Sequence, residues 1–228
     1  MAIDEVSSLV IEIGSDTTRM GYSGDDSPYV TIPTVLSEDG KLGYPQSVSK
    51  SYTRPVKRTG RATDSDLGVI MGECYGRLNG VDPTEYPLLF IDTVLDTAPE
   101  QDQARTQITQ ILFEQFRVPA LYFGKTSVMA MFGMGRHTGL CLETGASGSV
   151  VCPIYEGIPV TKAITSTLIG GDYLNEKAAD LIVCPGEDAF IPGELIKQKS
   201  AVPLTEPPKY LKKESVNPSD SFLAFSKW

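Results

Sequence analysis

The sequence predicts an α/β protein built on a duplicated unit, and two observations carry that prediction. Between residues 87 and 139, short apolar runs alternate with amphipathic stretches, the order expected of parallel strands joined by helices. Residues 138–157, TGLCLETGASGSVVCPIYEG, read as a strand, a tight turn and a returning strand, and residues 9–24, LVIEIGSDTTRMGYSG, repeat that pattern. In both, the first strand ends in Glu-x-Gly before small residues. Glu12-Ile13-Gly14-Ser15 therefore matches Glu143-Thr144-Gly145-Ala146, which points to an internal duplication. A turn of Thr, Gly and Ser turns several backbone N–H groups into one concavity, a nest that holds phosphate oxygens; an ordinary glycine-rich hairpin has the same composition.

In chain order, residues 6–13, 19–22 and 29–35 read as three strands of a meander, with turns at 14–18 and 24–28. Residues 37–55 are polar and turn-rich, with neither helical nor strand period. Thr63 or Asp64 caps a helix in which Leu67, Ile70, Met71, Cys74 and Leu78 share one face before Gly80 stops it. Residues 87–93, PLLFIDT, form a buried strand. Pro99 opens a second helix lined by Ala104, Ile108, Ile111, Leu112 and Phe116, which ends ahead of Pro119. Residues 120–123 give another strand and residues 126–134 a short helix, whose Met129, Met131 and Met134 are expected to pack on the sheet. After the second hairpin, residues 167–180 are expected to start a further helix, with Gly170-Gly171 before it. Beyond Val183, Pro185, Pro192, Pro203, Pro207, Pro208 and Pro218 interrupt any helical period. A remnant helix is expected over 194–202, and residues 203–228 read as an extended arm with Phe222, Phe225 and Trp228 as apolar anchors.

Hydrophobic residues make up 41% of the 228, as in ordinary globular proteins, and the length allows one large domain or two lobes. A net charge of −9 argues against a nucleic-acid partner, because a phosphate-backbone binder displays a basic field. The five basic residues between Lys50 and Arg61 read as a solvated loop or a protein contact. Cys74, Cys141, Cys152 and Cys184 lack metal-ligand spacing, and three of them fall in apolar patterns where a reduced thiol is the default, so a reducing compartment is expected. The acidic start MAIDEVSS shows no targeting signal, and no apolar run reaches the roughly 20 residues of a membrane span.

Several stretches carry a family resemblance: MGYSGDDSP at 20–28, LFEQFRVPALY at 112–122, Gly135-Arg136-His137-Thr138-Gly139 and Pro153-Ile154-Tyr155-Glu156-Gly157. In this order and at these spacings, the chain resembles actin and the actin-related proteins over residues 9–180. The resemblance implies a ribonuclease-H-like duplicated α/β fold with ATP and a divalent cation in the cleft between two lobes. On this reading residues 1–136 form the first lobe, with a shortened small subdomain at about 37–55. Residues 137–183 begin the second lobe, and residues 184–228 form a divergent tail. The family's chain continues further, so apolar surface is expected to be covered by another protein or by the rearranged tail.

The resemblance also implies site residues. Gly14, Ser15, Asp16 and Arg19, with Thr144 and Gly145, correspond to the nucleotide-binding turns. Glu12 and Glu143 stand where the family has aspartates and are the possible metal residues; the alternative is two strand-end acids facing solvent. Ala146, Thr126 and Val150 replace an aspartate, the glutamine that positions the attacking water and the histidine beside it, which should remove most of the catalysis. His137, the only histidine, reads as a solvated turn residue. The expected function is therefore a non-catalytic actin-like structural subunit of a larger multiprotein assembly, without a bound cofactor. The alternative is an ATP-binding actin-related protein, loaded with ATP or ADP and Mg2+, whose assembly the nucleotide regulates. An active phosphotransferase is a third reading. Expected partners are other protein subunits, docked partly through Phe222, Phe225 and Trp228; nucleic acid, a membrane span and a homopolymer are not expected. The expected location is cytoplasmic or cytoskeletal, with the nucleus as the alternative.

Overall fold

The computed structural model describes residues 7–37, 42, 52–53, 64–92, 98–182, 196–200, 203 and 209–212. The predicted anchors Phe222, Phe225 and Trp228, most of the basic stretch at 50–61 and Cys184 lie outside the described residues.

The first lobe is a meander extended by two crossovers. Strands β1 (Leu9–Ile13), β2 (Thr17–Tyr22) and β3 (Val30–Pro33) pair antiparallel in sequence. Two-residue strands β4 (Leu36–Ser37) and β5 (Tyr52–Thr53) pair within the stretch read as turn-rich. Helix α1 (Asp64–Arg77) then leads to β6 (Leu88–Asp92), and α2 (Ala98–Glu114) leads to β7 (Leu121–Lys125). β6 lies parallel to β1 and β7 parallel to β6, giving one sheet in the order β3-β2-β1-β6-β7. The expected parallel strands are thus present, and β1 is paired on both edges.

One core fills this lobe. Every second residue of β1 points the same way, so Leu9 and Ile11 are completely buried together with Met20, Ile32, Leu88 and Phe90. The predicted stripe of α1 covers that face: Leu67, Ile70, Met71, Cys74 and Leu78 are all buried, and Ile111 and Leu112 of α2 close it. Left-handed backbone at Asn79 (φ 46°) and Gly80 (φ 84°) turns the chain away after α1.

Helix α3 (Thr126–Gly133) joins the first sheet to a second one. Its Val128 and Met131 pack on Cys141, Cys152 and Ile154, while Met129 lies against Gly124 of β7, where a Cβ would come within 3.2 Å of its sulfur. Met134 departs from expectation: it caps the helix just past its end and is 64% exposed. The second sheet contains β8 (Gly139–Thr144) and β9 (Ser149–Tyr155), with β10 (Ile158–Pro159) and β11 (Thr165–Thr167) both antiparallel to β9.

Two expectations about the later chain are corrected. Residues 165–167 join the sheet as β11, because Thr165 and Thr167 pair with Val151 and Ser149, and the helix α4 (Gly171–Ile182) starts only after Gly170. The remnant helix expected over 194–202 is instead β12 (Ile196–Ser200), and the arm contains β13 (Lys209–Lys212), its antiparallel partner. Hydrogen-bond pairing with another strand, which local period does not report, decides both cases.

Tyr75 stacks on Phe116 at 5.4 Å between ring centroids, yet its buried hydroxyl has no hydrogen-bond partner among the described residues. Burial pushes the Tyr75 hydroxyl up to about 12, and likewise the neighbouring Cys74 thiol to about 12. Because the folded protein holds both protons longer than the unfolded chain, their contribution is intact below pH 9, the thiol's ordinary value, and is lost as pH rises toward 12. Tyr75→Phe should raise stability at pH 7 by about 1 kcal/mol by removing an unpaired buried hydroxyl. Urea midpoints at pH 8 and pH 10.5 should show a smaller alkaline loss in this variant. Leu112→Ala, at a completely buried position, should cost about 2–5 kcal/mol in the same assay.

Candidate functional site

The two hairpin turns close in the same way. Gly14 N–H donates to Thr17 O at 3.0 Å, and Gly145 N–H donates to Gly148 O at 2.9 Å. Glycine is required in the first turn, where a Cβ on Gly14 would stand 2.8 Å from the Thr17 oxygen. This turn is braced from β3: Thr34 N–H donates to Asp16 O at 2.7 Å, and the buried Thr18 and Thr34 hydroxyls share a 2.7 Å hydrogen bond.

The second turn is held by the start of α4. Gly171 N–H donates to Gly145 O at 3.0 Å and Asp172 N–H to Ala146 O at 2.8 Å. Ser149 Oγ donates to Ile169 O at 2.6 Å from the strand below, and Thr144 Oγ1 lies 3.1 Å from the same hydroxyl. The approach is so close that a Cβ on Gly170 would lie 2.5 Å from Gly148 N and 2.7 Å from the Ala146 and Gly145 oxygens. Free helix-start amides are anion-binding donors; here two of them are already used by the turn.

The turns meet. Ser15 Oγ lies 2.7 Å from Ser147 Oγ, a hydrogen bond spanning 132 residues of chain. That bond joins the turn holding Gly14, Ser15 and Asp16 to the turn that follows Thr144 and Gly145. Arg19 is placed differently: it pairs directly across the ladder with Glu12, its Nη1 3.2 Å from Glu12 Oε2. That exposed pair occupies the cation of Arg19 and the anion of Glu12 with each other. Glu143 is half-buried at the corresponding place on β8, and its Oε1 accepts from Cys141 Sγ at 3.7 Å. Burial, followed by the nearby Glu143 charge, pushes the Cys141 thiol up. Among the described residues, no three His, Cys, Asp or Glu side chains gather as a metal-binding group.

The positions that the resemblance links to water attack lie as follows. Thr126 Oγ1 donates to Asp92 O at 3.1 Å, and Val150 is a buried core residue of β9. His137 is exposed, and its carbonyl accepts from Gly157 N–H at 2.6 Å. Sequence reasoning missed Ser147, the packing role of Gly170 and the ion pair of Arg105 with Asp92 at 2.8 Å. Asp92 was open to detection, since it ends a parallel strand at the edge where open α/β sheets place ligand groups.

Fold and turns together define a duplicated α/β protein in which two equivalent hairpins face each other at one point. The Actin family model matches residues 3–227, and the chain belongs to the actin family. The match runs past residue 180 into the segment read as a divergent tail. The chain is 30% identical to Actin-related protein 4 of Yarrowia lipolytica over 96% of its own length and 55% of that protein's. It is 29% identical to Actin-related protein 4 of Arabidopsis thaliana, over 76% of this chain and 47% of that protein, and 28% identical to that of Candida albicans, over 98% and 49%. The chain thus spans about half the length of the curated relatives it matches.

Gly170→Ala should lower stability by about 1–3 kcal/mol, because its methyl group meets backbone that cannot yield without opening the second turn. Gly72→Ala, in the middle of α1 with nothing within 4 Å of the new methyl, should instead gain about 0.5–1 kcal/mol. Parallel urea titrations of the two variants check both signs.

Proposed function

We propose that this actin-related chain is a non-catalytic structural subunit of a multiprotein assembly, working through protein contacts. One observation supports the reading: Thr126 spends its one hydroxyl proton on the Asp92 carbonyl and Val150 is an apolar core residue, so neither position offers the amide or imidazole that the resemblance links to water attack. A well-placed polar group is worth about 2.7–4 kcal/mol of transition-state stabilisation, and two such groups are replaced here. Relatives named Actin-related protein 4 support the family part of the proposal. Partners on this reading are other protein subunits rather than nucleic acid or further copies in a filament. Cys74, Cys141 and Cys152 are buried free thiols, which fits a reducing compartment, the cytoplasm with its cytoskeleton or alternatively the nucleus.

A second reading keeps nucleotide without hydrolysis. The matched glycine turns that face each other support it, since two small-residue turns at one point are the arrangement read as a phosphate cradle. ATP or ADP would then be held by residues 14–16 and 144–145, with Mg2+ neutralising the phosphates.

Phosphate release from Mg-ATP should be indistinguishable from the protein-free rate, and the purified chain should stay in the supernatant on sedimentation under polymerising conditions. A turnover rate that disappears in Glu143→Gln, or ordered filaments in the pellet, would contradict the proposal.

A further inference from the structure

Two thiols face each other across the second hairpin. Cys141 of β8 and Cys152 of β9 are direct partners in the ladder, and residues opposite one another on antiparallel strands project from the same face. Both enter the core beside Val128 and Met131 of α3, Cys152 completely buried and Cys141 6% exposed. One hydroxyl serves them both: burial pushes each thiol up, and the hydroxyl of the buried Ser127 opposes that rise for each. Two sulfurs reached by one hydroxyl stand close to each other.

The ladder fixes how near the two backbones come. Gly145 N–H donates to Gly148 O, and alternation back along β8 makes Cys141 and Cys152 a hydrogen-bonded pair. Pro153, which has no N–H to give, falls at the next position opposite Leu140 and agrees with this phase. Such a pair has its Cα atoms about 5.5 Å apart, inside the roughly 4.4–6.8 Å of a disulfide. Its Cβ atoms, at about 4.5–5.5 Å, stand wider than the roughly 3.5–4.5 Å that a disulfide needs. A bridge here closes with a small movement against the ladder, and the strain it stores makes it easy to reduce.

We propose that Cys141 and Cys152 form a reversible oxidation site for hydrogen peroxide. Cys141 reacts first, because it is the more exposed of the two and its thiol donates to Glu143 Oε1 at 3.7 Å, a carboxylate placed to take the proton. Its sulfur attacks one peroxide oxygen, the O–O bond breaks, water leaves with the thiol proton, and a sulfenic acid remains. The Cys152 sulfur then attacks that sulfur, the S–O bond breaks, and a second water carries off the second thiol proton. Two electrons pass from the thiol pair to the peroxide, and the disulfide is the oxidised product. Burial keeps the thiolate fraction of each cysteine small, so the reaction is slow and needs peroxide in excess. Closure removes the S–H that Glu143 accepts, so the redox state of the pair reaches the acid that precedes the second turn. Cys74 is the contrast within the chain, equally buried but the only cysteine of the first core.

The test uses the full protein, isolated under native conditions from its source cells, treated with excess hydrogen peroxide, quenched, and unfolded in an alkylating reagent. The tryptic peptide 137–162 carries both thiols; it should be unalkylated and lighter by two hydrogens, and should stay joined after cleavage behind Glu143. Cys74 should remain alkylated, with at most about a tenth of that oxidation. A dithiol reductant should restore both thiols in the folded protein. Cys152→Ala should leave Cys141 as a sulfenic acid trapped by dimedone, whereas Cys141→Ala should leave Cys152 a thiol. Full alkylation of Cys141 and Cys152 after peroxide overturns the proposal, as do bridges from either one to Cys74, Cys184 or another molecule in place of the 141–152 bond. A bridge that resists the reductant until the protein is unfolded overturns the reversible site.

Discussion

Two serine hydroxyls 2.7 Å apart, on turns separated by 132 residues, set the geometry on which the rest of this molecule depends. Side chains as short as serine can meet only if the two hairpins bring their tips to the same point. That requires β1 and β8 to end at corresponding places, each in a glycine that lets the chain reverse tightly. It also requires α3 to hold the sheets at a fixed separation, with Met131 in the core of the second sheet and Met129 linking that core to Gly124 of the first. Each turn is braced from outside, the first by Thr34 and the second by the start of α4. The clearance at Gly170 shows how little freedom remains in the second brace.

The two sheets share one hairpin device and differ in the core that the described residues build on it. In the first, a strand paired on both edges and two covering helices bury a continuous apolar face. In the second, only the face toward α3 is buried, and the core there comprises Val128, Met131, Cys141, Cys152 and Ile154. Burial of apolar area is the main favourable term in folding, at roughly 25 cal/mol per Å2. Among the described residues, the second sheet therefore draws less stability from apolar burial than the first.

Much of this was legible in the sequence wherever local pattern and final environment coincide. The stripe Leu67, Ile70, Met71, Cys74 and Leu78 names the buried face of α1, and the matched Glu-x-Gly sequences locate both turns. Legibility failed where distant pairing decides. Thr165 to Thr167 is a strand because β9 offers an edge, and Ile196 to Ser200 because β13 does. The resemblance implied that Arg19 is a nucleotide-site residue, and local pattern gave no sign that the ladder sets Glu12 opposite it. Ser147 could not be singled out within Gly-Ala-Ser-Gly, since its importance lies in a partner at the other end of the chain. Asp92 and Arg105 likewise meet only after the β6–α2 crossover has formed.

A double-mutant cycle across Ser15 and Ser147 tests the central claim most directly. Stabilities of the wild type, Ser15→Ala, Ser147→Ala and the double variant, measured by urea unfolding, isolate the interaction between the two turns. Facing turns joined by this hydrogen bond predict a coupling of about 0.5–1.5 kcal/mol, with the second substitution costing little once the first is made. Strictly additive effects would show that the turns do not meet, and the arrangement built on their contact would fall with it.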